Sequence, residues 1–157
     1  GFPDGAEDSI YTGLIPPYRT FNRPLVNVTE IAALEGMDKA SFDRLLPHIT
    51  ALPGRTDINV NTATPAVLQS LDENIDASVV ETWLQEREES GFVDINQTFG
   101  TFVTNPRMLE QLVETSEFFQ LKAVVQIGTV RVTYYSVLSR SPNGGPVTTI
   151  LRSLGTI

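Results

Sequence analysis

The spacing of apolar residues changes at Glu117, and this change limits the folds open to the chain. Before it, apolar positions recur at helical spacing; after it, Phe119 and Leu121 alternate with more polar neighbours. The alternation continues over residues 130–134, and residues 147–151 supply a third strand after a turn rich in proline and glycine. The chain is therefore predicted to be α+β, with helices first and an antiparallel β-meander last.

The helices are marked by residues that cap helix ends. The expected N-caps are Asn27 with Glu30, Asp38, Thr64, Asp76 or Ser78, and Asn105. Gly36 and Gly91 are expected to stop two of the helices. Repeated prolines and glycines predict that residues 1–24 are irregular. We therefore divide the chain into an irregular segment (1–26), an all-α part (27–114) and strands (115–157).

One stretch, residues 57–65, directs the chain into the centre of the all-α part. Its motif residues are Asn59, Asn61, Thr62, Thr64 and Pro65. The two asparagines alternate with β-branched residues, so their amides can bond neighbouring backbone groups and fix the chain direction. Thr64 suits an N-cap, and Pro65 suits the first helical position. The motif is predicted to be structural, without catalytic chemistry.

The predicted meander lacks a cover for its apolar face. A three-stranded sheet needs another layer packed on it, and no long helix of this chain is free for that role. The chain starts Gly1-Phe2-Pro3 without methionine, so we expect that a segment before Gly1 was removed. That segment is the expected cover.

Composition excludes several classes of function. The 157 residues carry a net charge of −8, which repels nucleic acid phosphate and anionic lipid. No apolar run approaches the roughly 18 residues that a membrane span needs. The chain has no cysteine and one histidine, His48, which leaves a single base for a hydrolase. Only the presence of residue types supports a hydrolase, and His48 is better explained as a partly exposed residue at a helix end.

The segment Asp4-Gly5-Ala6-Glu7-Asp8 places three carboxylates within five positions. Calcium prefers several oxygen ligands from a flexible loop, and such a cluster could supply two or three of them. The spacing is not that of an EF-hand. A solvated acidic turn is the alternative.

Residues 58–99 resemble a helix-hairpin-helix unit in their asparagine-rich start and their helical spacing. DNA-binding members of that family hold a phosphate with a glycine-rich turn. Here the corresponding turn, residues 71–76, has three acids and no glycine. A nucleic-acid-binding module is therefore the alternative function, and DNA binding is not expected.

Several short motifs together resemble the minor pseudopilin K family of type II secretion. They are Gly5-Ala6-Glu7-Asp8 with Tyr11, Pro16-Pro17-Tyr18-Arg19 with Asn22, Val28-Thr29-Glu30-Ile31, Leu52-Pro53, and Ile58-Asn59-Val60-Asn61-Thr62-Ala63, in that order. The resemblance covers nearly the whole chain. It implies a truncated pilin-like domain that carries a large all-α insertion of helix-hairpin-helix or SAM-like type.

The same resemblance implies a non-enzymatic role with no catalytic residues. Family members cap the tip of the periplasmic pseudopilus together with minor pseudopilins I and J, and a long N-terminal helix anchors them in the inner membrane. The secreted substrate and the outer-membrane secretin are further candidate partners. The family is also associated with calcium near the Gly-Ala-Glu-Asp segment, which implies Glu7 and Asp8 as ligands, with Asp4 as a third.

Overall fold

A computed structural model of the chain describes residues 6–19, 22–141 and 145–155. It confirms the α+β class, with short helices followed by an antiparallel sheet. Contacts divide the chain into two compact units, Gly1–Pro53 and Gly54–Ile157. The predicted all-α part, 27–114, extends across this division, so its boundaries stay a prediction. None of the described helices is both long and apolar enough to cross a membrane.

The first unit is built from short helices of three to seven residues. It contains α1 (Asp8–Thr12), a 3₁₀ helix (Val28–Ala33), α2 (Lys39–Leu45) and a second 3₁₀ helix (Leu46–His48). The predicted capping box forms, because Asn27 accepts from the Thr29 N–H and Glu30 accepts from the Asn27 N–H. Helix α1 interrupts the region that was predicted to be irregular. Its Tyr11 is buried, with its ring centroid 5.2 Å from that of Tyr18, and this packing stabilises the turn.

The second unit begins with a small helical part. Its elements are β1 (Ile58–Asn59), α3 (Pro65–Gln69), α4 (Ala77–Ser90), α5 (Ile95–Phe99), α6 (Pro106–Leu109) and β2 (Leu112–Val113). Strands β1 and β2 pair in parallel and bring the two ends of this part together. Neither α5 nor the strand pair was predicted. The two-residue strands are too short to show a period, and the sequence signal of α5 is its N-cap Asp94 alone.

An aromatic cluster forms the core of the helical part. Phe99 is fully buried, with its ring centroid 4.5 Å from that of Trp83 and 5.1 Å from that of Phe92. Val60 and Leu68 are also fully buried beside it. Burying each such large side chain contributes about 1.5–3 kcal/mol, so this cluster holds the short helices together.

Helix α4 is the longest helix in the described chain, and its two ends follow the predicted signals. Of the two predicted caps it uses Asp76, whose Oδ1 accepts from the N–H groups of Ser78 at 2.8 Å and Val79 at 3.0 Å. Gly91 ends it with φ of 69°, a conformation that favours glycine.

The predicted meander is confirmed as a three-stranded antiparallel sheet. It consists of β3 (Phe118–Ile127), β4 (Val130–Arg140) and β5 (Val147–Leu154), in that spatial order. Strands β3 and β4 pair residue by residue from Phe118 with Ser139 to Ile127 with Val130. No residue of the three strands, all of which the structure describes, is fully buried.

Candidate functional site

Asn59 fixes the turn that leads into α3. Its Oδ1 accepts from the Asn61 N–H at 3.0 Å, and its Nδ2 donates to Ser116 Oγ at 2.8 Å. Its carbonyl oxygen accepts from the Ala63 N–H at 2.9 Å. One residue therefore closes the turn and ties it to the chain segment just before the sheet.

Asn61 joins three segments of the helical part through one amide group. Its Oδ1 accepts from the Phe92 N–H at 2.7 Å, and its Nδ2 donates to the carbonyl oxygens of Phe92 at 3.0 Å and Glu114 at 3.2 Å. The amide orientation follows from these partners, since only its oxygen can accept from an N–H. The Asn61 amide thus bonds backbone groups that a neighbouring strand would otherwise pair with.

Arg87 completes this network from α4. Its Nη1 donates to the carbonyl oxygens of Val60 at 3.2 Å and Ala63 at 2.7 Å. Arg87 lies within a run of charged residues on α4, but it is partly buried and bonds these backbone oxygens, whereas Glu86, Glu88 and Glu89 are exposed. We name Asn59, Asn61 and Arg87 the polar clamp. The sequence indicated backbone bonding for the two asparagines of this clamp, but it gave no separate signal for Arg87.

The other motif residues serve the start of α3. Thr64 Oγ1 accepts from the Val67 N–H at 3.4 Å, and Pro65 occupies the first helical position. Thr62 Oγ1 donates to the Asn59 carbonyl oxygen at 3.5 Å. Asn59, Asn61, Thr62 and Thr64 therefore bond backbone groups, and Pro65 begins the helix, so the motif fixes the local chain geometry.

The predicted calcium ligands are brought together only in part. Glu7 precedes α1 and Asp8 starts it, and both side chains are exposed. Asp4 lies outside the described residues. Among the described residues no group of three or more acidic or histidine side chains could hold a metal. Two adjacent carboxylates fall short of the 6–8 oxygens that calcium takes, so these two residues alone do not fit the ion.

His48 lies at the end of the second 3₁₀ helix and is half-buried. This is the position that the sequence predicted for a helix-end residue. In the described part of the chain we identify no further catalytic residue that would support the hydrolase hypothesis.

The turn that would bind phosphate in a DNA-binding relative is held by a carboxylate. Asp72 Oδ2 accepts from Thr104 Oγ1 at 2.7 Å and from the Thr104 N–H at 2.8 Å, while its Oδ1 accepts from the Asn74 N–H at 3.0 Å. These hydrogen bonds, led by that of the Thr104 hydroxyl, lower the pKa of Asp72 to about 2. A phosphate at this turn would meet a permanent negative charge, so the geometry disfavours nucleic acid binding.

One face of the sheet is apolar and open. Residues that pair directly across an antiparallel ladder share a face. On this face β3 contributes Phe119, Leu121, Ala123, Val125 and Ile127, and β4 contributes Val130, Val132, Tyr134 and Leu138. Leu121 is 50% exposed and Ile127 is 76% exposed. We name this surface, which also carries Ser136 opposite Leu121, the apolar sheet face.

Comparison with known families gives two matches along the chain. Two family models, both described as type II secretion system (T2SS), protein K, match residues 2–54 and 58–108. The first match ends at residue 54, one residue beyond the end of the first compact unit.

Curated relatives with the same description are similar over most of the chain. Type II secretion system protein K of Pectobacterium carotovorum is 30% identical over 97% of this chain and 48% of its own length. Its namesakes are 33% identical in Pseudomonas aeruginosa, over 89% of this chain and 42% of theirs, and in Klebsiella pneumoniae, over 87% and 45%. The chain thus spans about half the length of these relatives.

A solved structure has the same fold. It is a chain from the GspK-GspI-GspJ complex of the enterotoxigenic Escherichia coli type 2 secretion system. The superposition has a TM-score of 0.77 at 25% sequence identity and covers 98% of this chain and 56% of that one.

Proposed function

The chain belongs to the type II secretion system protein K family, and we propose that it acts as a minor pseudopilin, a structural subunit rather than an enzyme. The observation that carries this proposal is the fold match over 98% of the chain to a structure of the GspK-GspI-GspJ complex. The polar clamp supports it, since the side chains that the motif brings together all bond backbone groups or a neighbouring hydroxyl.

We propose minor pseudopilins I and J as the partners. The related structure is a complex of K with I and J, and this chain shares the fold of one of its chains. A bulky all-α insertion, predicted to span residues 27–114, would not fit beneath another subunit in a filament. This favours a capping position at the tip of the periplasmic pseudopilus, where the secreted substrate or the outer-membrane secretin would also be in reach.

The three strands are proposed to be the end of a pilin-like domain, and the helical part its insertion. The apolar sheet face supports this proposal, because such a face needs a packed layer and the relatives are about twice as long as this chain. We propose that the layer is a long N-terminal helix that also anchors the protein in the inner membrane.

Calcium stays a proposal for the segment that contains Asp4, Glu7 and Asp8. It is supported by the family resemblance and by two adjacent exposed carboxylates. The remaining oxygens would have to come from other parts of the protein.

Export itself tests the proposed role. Deleting the gene in the bacterium that encodes it should leave type II cargo in the periplasm, and the intact gene should restore its release. Unchanged release after deletion would contradict a role in type II secretion.

A further inference from the structure

A groove of about 520 Å³ runs along one face of α4 in the helical part. Val79, Trp83 and Glu86 line it from α4 at helical spacing, and Asp94 and Phe102 line it from the opposite side. The Trp83 and Phe102 rings meet edge to face with centroids 5.3 Å apart. Trp83 is only 3% exposed, so the partly buried Phe102 ring supplies most of the aromatic surface of the groove. The volume is that of a typical ligand pocket.

The rim of this groove is acidic. Glu86 and Asp94 both line it, whereas no lysine or arginine does. In the described part of the chain neither carboxylate takes part in an ion pair, and Asp94 Oδ1 accepts only from the Gln97 N–H within its own helix. The one basic residue of α4, Arg87, donates to Val60 and Ala63 in the polar clamp instead. The two carboxylates at the rim are therefore available to pair with a cationic group of another molecule.

An exposed apolar residue stands at the edge of the groove. Val93 is 79% exposed and follows the buried Phe92. The part of the chain around the groove is also acidic, because residues 54–114 contain eleven Asp and Glu but only three Lys and Arg. Its net charge adds to the negative potential at the rim. Such a field attracts cationic groups and repels phosphate and acidic peptides.

We propose that this groove docks a peptide segment of another protein that presents a large apolar side chain next to lysine or arginine. The apolar side chain would cover the aromatic surface of the groove, and the basic side chains would pair with Glu86 and Asp94. Apolar anchors supply most of the binding energy at such sites, and complementary charges set the specificity. This inference does not depend on the assembly with pseudopilins I and J.

Short labelled peptides test the proposal on the intact chain. The probe is fluorescein-labelled Gly-Lys-Leu-Phe-Lys-Gly, and its fluorescence anisotropy is followed at low salt. One matched peptide replaces both lysines with glutamate, and a second replaces Leu-Phe with Ser-Ser. The probe should bind saturably, and both matched peptides should bind about tenfold or more weakly. Absence of probe binding at millimolar protein, or equal binding of the three peptides, would overturn the proposal.

Two charge reversals on α4 locate the site. Glu86→Lys should weaken probe binding about fivefold or more, because the lysine would repel the peptide at the rim. Glu88→Lys is the matched control, since Glu88 is exposed on the same helix and does not line the groove. Glu88→Lys should weaken probe binding much less than Glu86→Lys. Circular dichroism should show that both variants are folded. Equal weakening by the two variants would show a general charge effect and would contradict docking in this groove.

Discussion

Asn61 joins segments of the helical part that are distant along the chain. Its amide bonds the backbone of Phe92 and Glu114, which lie 31 and 53 residues away along the chain. Most backbone groups in folded proteins pair within helices and sheets, but short elements leave many groups without such partners. A side-chain amide can satisfy them because it carries the same donor and acceptor as a peptide group.

Replacing Asn61 should therefore destabilise the protein strongly. Asn61→Ala removes three hydrogen bonds and leaves the Phe92 N–H without its partner, at a cost of roughly 2–3 kcal/mol. Urea unfolding followed by tryptophan fluorescence measures this, since Trp83 lies in the same core. Asn96→Ala is the control, as an exposed residue on α5, and should change stability by less than about 0.5 kcal/mol. Equal destabilisation by both changes would contradict the role given to Asn61.

Asp72 should make the fold sensitive to acid. Its pKa of about 2 in the folded protein lies below the ordinary value of about 3.9, so its ionised form favours folding. This contribution is fully present above about pH 4 and is lost as the pH falls towards 2. The urea midpoint of the parent should fall over this window more steeply than that of Asp72→Asn.

Two further variants make the Asp72 prediction specific. Thr104→Val removes the strongest hydrogen bond to the carboxylate, so the pKa of Asp72 should rise in a carboxyl NMR titration. Glu88→Gln removes an exposed charge elsewhere and should leave the acid dependence of the parent unchanged. An Asp72→Asn protein with the parent's acid dependence would refute the prediction.

Calcium, if held by Asp4, Glu7 and Asp8, should stabilise the protein. An ion that binds only the folded state raises the melting temperature, by about 2–4 °C per kcal/mol for a protein of this size. Chelation should therefore lower the melting temperature, and the double variant Glu7→Gln, Asp8→Asn should not respond. Glu35→Gln, in the same unit, serves as the control that keeps the response. No effect of chelator on the parent, with no heat in a calcium titration, would remove the calcium proposal.

At the scale of elements, the sequence predicted most of the features that depend on local spacing, with α1 and α5 as exceptions. The caps Asn27, Asp38, Asp76 and Asn105 were readable because a cap and its target N–H lie within three residues. The sheet was readable because its strands are long enough to alternate.

Contacts between distant residues could not be predicted in the same way. The pairing of β1 with β2 joins positions more than fifty residues apart, and each strand has only two residues. Arg87 carried no mark that separated it from the charged neighbours that do face solvent. For Asn59 and Asn61 the sequence indicated backbone bonding, but it could not identify Ser116, Phe92 or Glu114 as partners.

The apolar sheet face should bind a hydrophobic dye. Fluorescence of ANS, which reports exposed apolar surface, should drop by about half when Leu121 and Val125 are both changed to serine. Gln120→Ser with Lys122→Ser is the matched control, because these residues lie on the opposite face of β3. Equal loss of fluorescence in both pairs, or no dye binding by the parent, would contradict an open apolar face.

At the scale of the whole molecule, charge is divided along the chain. Residues 54–114 are strongly acidic, whereas residues 115–157 contain one acidic and four basic residues. The sheet therefore combines an open apolar face with a positive balance, and the helical part presents an acidic surface. This division suits a subunit that packs through its sheet and exposes its helical part.

Assembly with the proposed partners tests this account most directly. The chain, and a second version with any coding sequence before Gly1 restored, would be mixed with minor pseudopilins I and J at tens of micromolar. Size-exclusion chromatography with light scattering would then measure the mass of each species. We predict one peak that contains all three proteins in equal amounts with at least the longer version. Separate elution of the protein from I and J in both versions would contradict its role as a minor pseudopilin of their complex.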